Sequence, residues 1–124
     1  MKKINVKVKI VNDLKEEILT DVIGDFDEEK NIISYNDEKV FVRVIIGEKI
    51  TMKRSHPDYN LELIFEENKK NLSMYEIINP KMNLEIEAET MVLRRCNNDF
   101  YTEYKLKLNS EEIGLFSIDF KLEE

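Results

Sequence analysis

The sequence predicts an all-β domain, a closed or nearly closed antiparallel barrel of about eight to ten strands. Three observations carry this expectation. Apolar and polar residues alternate with a period of two in the clearest segments, β-branched and aromatic residues fill the runs between them, and turn residues recur about every ten positions.

The first segment sets the pattern: Ile4, Val6, Val8 and Ile10 fall on one face, Lys3, Asn5, Lys7 and Lys9 on the other. Successive side chains of a strand point to opposite sides of its sheet, so this run suits a half-buried strand. Residues 14–26 admit two readings. Leu14, Ile18, Val22, Ile23 and Phe26 suit one helical face with Asn12 or Asp13 as its cap, whereas Ile18, Thr20, Val22, Gly24 and Phe26 alternate as a strand. Gly24 and the β-branched residues weaken a helix, and the period of two elsewhere makes the strand the consistent choice. Shorter runs follow at Ile32–Tyr35, Val40–Ile46, Lys49–Arg54, Leu61–Phe65, Leu72–Ile78, Asn83–Ala88 and Thr90–Arg94. Gly47-Glu48 reads as a two-residue type II′ hairpin, and Asn12-Asp13, Asn36-Asp37, His56-Pro57-Asp58, Asn79-Pro80 and Asn97-Asn98-Asp99 supply further turns. Later, Thr102, Tyr104, Leu106 and Leu108 alternate with Glu103, Lys105 and Lys107. Phe116, Ile118, Phe120 and Leu122 do the same with Ser117, Asp119 and Lys121. So many short strands in one small domain leave exposed edges unless the sheet closes on itself, which favours the barrel. No internal repeat points to a propeller or solenoid.

A chain of 124 residues makes one domain, residues 1–124. Its 42% apolar and 36% charged residues are a folded balance, and three Gly with two Pro leave no linker. The net charge of −7 argues against a nucleic acid or an anionic membrane as partner, since both reward a basic surplus. No apolar run is long enough to cross a bilayer as a helix, and Lys3, Lys7 and Lys9 interrupt any leader-like apolar core. The single Cys96 has no internal disulfide partner and reads as a small core hydrophobe in a reducing compartment, so the expected location is the cytosol.

Several stretches carry a family likeness. Ile50-Thr51-Met52-Lys53-Arg54-Ser55 and Leu61-Glu62-Leu63-Ile64-Phe65-Glu66-Glu67 resemble the central pattern of the YwiB-like family. The likeness continues through Tyr75, Leu84-Glu85-Ile86-Glu87-Ala88-Glu89-Thr90, Tyr104-Lys105-Leu106-Lys107-Leu108-Asn109 and Gly114. Ser55, Asn68 and Asn79-Pro80 depart from it at turns, where the family tends to have glycine or a Tyr-Gly pair. The resemblance implies a calycin- or lipocalin-like barrel in the cytosol of a Firmicutes-type bacterium, and no established activity.

Three residues stand out as ligand-binding candidates: Arg54, Tyr104 and Tyr75. Arg54 continues the face of Ile50 and Met52, so its guanidinium points into the barrel, where a charge needs a partner or a ligand. Tyr104 lies on an apolar face and offers a hydroxyl to the same space. Tyr75 shares a face with Ser73 and Ile77 whose direction the sequence leaves open. Small lipid-binding barrels of similar fold hold a carboxylate with an interior Arg and Tyr, a geometry that the guanidinium fork favours. The competing reading pairs Arg54 with a carboxylate at the barrel end and leaves Tyr104 as core.

Other groups carry less. His56 and Asp58 are too few for a zinc site and read as a turn. Asp25, Asp27, Glu28 and Glu29 lack the spacing of a calcium loop. Glu85, Glu87 and Glu89 share one strand face and are expected to look across at Lys105 and Lys107 in solvent. There is no nucleophile elbow, phosphate-cradling loop or dinucleotide fingerprint. The expected function is therefore a binding barrel without catalysis, cofactor or metal, holding a small amphipathic ligand such as a fatty acid. The alternatives are a side-chain-filled barrel that docks on a protein partner, and an enzyme without a recognisable motif.

Overall fold

Ten strands follow one another up and down and close into an antiparallel barrel in the computed structural model, which covers residues 1–124. They are β1 (Lys2–Asn12), β2 (Glu17–Asp27), β3 (Ile32–Asp37), β4 (Val40–Ile46), β5 (Ile50–His56), β6 (Tyr59–Phe65), β7 (Lys70–Ile77), β8 (Met82–Cys96), β9 (Asp99–Leu108) and β10 (Glu111–Glu123). The ladder from Asn5↔Glu123 to Asn12↔Phe116 joins the first strand to the last and removes both sheet edges. Residues 17–27 form a strand, as the alternation required. The turns following β1, β3, β5, β7 and β9 share the end called upper below.

Turn chemistry replaces glycine with asparagine. Asn31, Asn68, Asn97 and Asn109 all have positive φ, between 48° and 62°. A short polar side chain tolerates this left-handed region, so Asn68 does what a turn glycine would do. The Gly47 turn differs from the type II′ expectation: Ile46 pairs with Ile50, so three residues form the loop and Gly47 has no positive φ. A two-residue loop would have set Lys49 opposite Ile46 and aimed its ammonium into the core, and paired residues must share a face.

The interior is apolar and filled. Twenty buried hydrophobic side chains form one cluster, including Val6, Ile33, Val42, Val44, Ile50, Phe65 and Phe120, each with no exposed surface. Phe100 and Phe120 stack with centroids 4.9 Å apart. Thr102 and Tyr104 face inward as the alternation predicts.

Two bulges reset the alternation. Met91 is the extra residue between the pairs Thr90↔Tyr104 and Val92↔Glu103, and Ile113 is extra between Glu112↔Lys107 and Gly114↔Leu106. The runs 83–88 and 90–94 thus belong to one bent strand, β8. The same shift corrects the reading of Cys96 as core: it lies beyond the bulge, on the outer side opposite Asp99, and is exposed.

The wall is thin in two places. The β2–β3 ladder holds only Asp25↔Ser34 to Asp27↔Ile32, and the β6–β7 ladder only Tyr59↔Ile77 to Leu61↔Tyr75. At the second, Thr90 secures the β6–β7 loop. Its hydroxyl accepts from the Glu66 N–H (3.2 Å), its carbonyl accepts from the Asn68 N–H (2.9 Å), and its own N–H donates to the Lys69 carbonyl (3.0 Å). At the first, Gly24 makes the corner. A Cβ there would lie 2.6 Å from the Ser34 carbonyl oxygen and 3.1 Å from Tyr35 Cβ. Backbone cannot yield as a flexible side chain can, so Gly24→Ala is expected to lower stability by about 1–3 kcal/mol in urea denaturation. An unchanged midpoint would show that the corner is loose.

Candidate functional site

Arg54 is placed by parity. β5 alternates Ile50, Met52, Arg54, His56 toward the interior, and β6 alternates Tyr59, Leu61, Leu63, Phe65. Across six strands the pairs Tyr35↔Val42, Val42↔Arg54, Arg54↔Leu61, Leu61↔Tyr75 and Tyr75↔Leu84 make one continuous girdle. The layer below it, Ile33, Val44, Met52 and Leu63, is wholly apolar and buried. Arg54 is thus the single charge of its girdle, half-buried where the packed core gives way to the upper mouth.

The guanidinium has no carboxylate partner. No carboxylate oxygen approaches it within 4.0 Å, and Asp37, the acid at the end of β3, instead accepts a hydrogen bond from the Thr20 hydroxyl at 3.0 Å. The competing reading's carboxylate partner at the barrel end is therefore absent, while its placing of Tyr104 in the core holds. Two buried phenols lie within the field of the cation. Tyr35 and Tyr104 are buried, and the field of Arg54 reaches both. Burial pushes the Tyr35 phenol up to about 12, against a smaller downward pull from Arg54 and an upward push from Asp37. Burial likewise raises Tyr104, again opposed by Arg54. Both phenols are protonated donors at neutral pH. Tyr104 is held by aromatic neighbours, its ring 4.7 Å from Phe65 and 5.7 Å from Phe116.

Above the girdle stands an aromatic collar. His56 pairs with Tyr59 in the ladder, and their rings stack 5.0 Å apart, 10° from parallel. Tyr75 meets Tyr59 edge-on at 5.8 Å. The Asp58 N–H donates to His56 Nδ1 at 3.1 Å, closing the turn and orienting the imidazole. Three of the five tyrosines, with the only histidine, thus occupy the inner face at this end, while Tyr104 lies deeper, against Phe65. The Ser73 hydroxyl, one step below Tyr75 on the same face of β7, is buried without a hydrogen-bond partner.

Arg54, Tyr104 and Tyr75 therefore all point inward, Tyr75 settling the direction that its own strand left open. Tyr35 and Tyr59 escaped notice in the sequence and His56 was read only as part of a turn, although Tyr59 and His56 lie two residues from Leu61 and Arg54 on the same alternating faces. The arrangement offers a cation, protonated hydroxyls and ring faces. That chemistry holds an anion; it supplies no nucleophile and base within reach of one another. None of the marked hollows is lined by Tyr104 or Tyr75, and the one that Arg54 lines, about 330 Å³, is shared with Lys53, Ser55, Asn60, Glu62 and Glu76 of the outer wall. The largest, about 380 Å³, sits beside the Met91 bulge among Asp13, Met91, Glu103 and Leu115.

The remaining groups are dispersed. Asp27 accepts from the Glu29 and Lys30 N–H groups and closes its turn, while Asp25 pairs with Lys3 at 2.6 Å. Glu87 and Glu89 stand opposite Lys107 and Lys105 on the outer face, as expected, although Lys105 forms its ion pair with Glu112 at 3.4 Å. No three His, Cys, Asp or Glu side chains converge as metal ligands, and no helix is long and apolar enough to cross a membrane.

Closed meander, filled base and polar mouth define a small antiparallel β-barrel. Residues 3–120 match the family model described as domain of unknown function (DUF1934), and the chain belongs to that family. Its fold is similar to the crystal structure of YwiB protein from Bacillus subtilis, with a TM-score of 0.65 and 16% identity over 96% of this chain and 89% of that one. No curated protein matches the chain.

Two measurements probe the site's energetics. Arg54→Met orphans no carboxylate and removes an uncompensated charge, so stability should hold or rise; a loss of about 3–5 kcal/mol would reveal a hidden ion pair. Tyr35 and Tyr104 ionise later in the folded protein than in the unfolded chain, where tyrosine titrates near 10. Their contribution is complete below pH 10 and is lost as pH rises through the folded values. Denaturation midpoints should therefore fall between pH 10 and about 12, by up to about 1.4 kcal/mol per pH unit for each tyrosine. A flat profile there would place both phenols in water.

Proposed function

We propose that this domain is a non-catalytic binding barrel whose mouth holds the anionic head of a small amphipathic acid on Arg54. The observation that carries the reading is an inward-parity, half-buried guanidinium without a carboxylate within 4.0 Å, with two buried phenols inside its field. A desolvated charge costs several kcal/mol unless compensated. A carboxylate bound to the guanidinium fork, with a tyrosine hydroxyl donating to its second oxygen, supplies that compensation. The single thiol and the acidic surface fit a cytosolic setting.

Native mass spectrometry of protein purified from its own host tests this reading. A mass excess that is present in the wild type and lost in Arg54→Met is the expected result. Bare polypeptide mass, with no saturable displacement of a fluorescent fatty-acid probe, sinks it.

A second reading rests on a separate feature. The outer face of β2 exposes Leu19 (71%) and Ile23 (64%), and the turn before it Leu14 (75%). Such exposed apolar side chains suit docking on a protein partner. A stoichiometric partner that co-purifies with the wild type and is lost when Leu19 and Ile23 are changed to Lys would favour it.

A further inference from the structure

We propose that the acid held at Arg54 carries a compact flat ring seated upward in the aromatic collar, and not a long acyl chain threaded down the barrel; this rests on the Arg54 reading above. The direction follows from what lies on each side of the guanidinium. Below it, Val44, Met52 and Leu63 are buried, and beneath them Ile50 and Phe65 have no exposed surface. They belong to one cluster of buried apolar side chains. A chain of many methylenes would have to displace these side chains from a core that tolerates little overpacking. Above it, His56, Tyr59 and Tyr75 are half-buried and fix one another by the 5.0 Å stack and the 5.8 Å edge contact. Rings already held in place lose little freedom when a ligand arrives, and they favour a flat partner over a flexible one. The fork of Arg54 selects a planar carboxylate, and the protonated Tyr35 and Tyr104 donate without adding a competing negative charge. An aromatic monocarboxylate with one ring satisfies all three conditions.

Isothermal titration of the full chain at neutral pH and low salt with 3-phenylpropionate, octanoate and palmitate tests the idea. Phenylpropionate should bind at least tenfold more tightly than either aliphatic acid. Tyr59→Leu should weaken it about tenfold while leaving octanoate within twofold, and Arg54→Met should abolish both. Tyr101→Phe, on the outer face of β9 and away from the collar, should bind phenylpropionate as the wild type does, and the retained octanoate binding of Tyr59→Leu shows that this variant is folded. Palmitate binding as tightly as phenylpropionate, with dependence on Arg54, would overturn the ring and its seat while leaving the anion site standing. Failure of all three acids to bind in an Arg54-dependent way would overturn both.

Discussion

Closure of the sheet by the β1–β10 ladder is the constraint from which the rest descends. Once the wall is continuous, every strand residue lies either inside a common volume or outside it, and the period of two decides which. The alternation of Ile4, Val6 and Val8 with lysines then becomes a statement about a single core. It also makes each polar residue with inward parity conspicuous. Most of these sit near the upper turns, where the barrel meets water. Asp37 is held by the Thr20 hydroxyl and Arg95 by the Glu48 carbonyl, whereas Arg54 has neither a hydrogen-bond nor an ion-pair partner.

Much of this was legible in the chain. Residues 17–27 read as a strand because Thr20, Val22 and Gly24 belong to the alternation and oppose a helix. The inner faces of β9 and β10 were explicit in Thr102, Tyr104, Phe116 and Ile118. What failed depended on register. The Gly47 turn looked like a two-residue hairpin because glycine suits one, but Ile46 and Ile50 must share a face, and that demands an odd number of loop residues. Cys96 was misplaced because a single extra residue at Met91 inverts every later position on β8, and nothing local announces it.

The site divides along the same line. Arg54 could be aimed from its own strand, since two residues before it Met52 is plainly core. Tyr104 could be aimed in the same way, but Tyr35 and Tyr75 could not be joined to Arg54, because their strands meet β5 only through intervening pairs. Sequence spacing says nothing of that geometry. The asparagine-built turns show the converse, where information is local: Asn68 adopts the conformation that a glycine would supply, so a departure at a turn leaves the wall intact.

An unpaired inward cation is hard to justify by stability alone. Methionine at position 54 would fit an apolar girdle between Val42 and Leu61 without any charge to desolvate. An ion pair would explain the arginine, yet Asp37 is turned toward Thr20 instead. Cation–π stacking would explain it too, but the aromatic faces that hold cations in this protein are Phe26 with Lys2 and Tyr101 with Arg94, both elsewhere. These unfilled structural roles are the support for the proposal that an anion from outside takes the guanidinium. The closely filled layers beneath it and the fixed rings above it then determine which way the rest of that molecule extends.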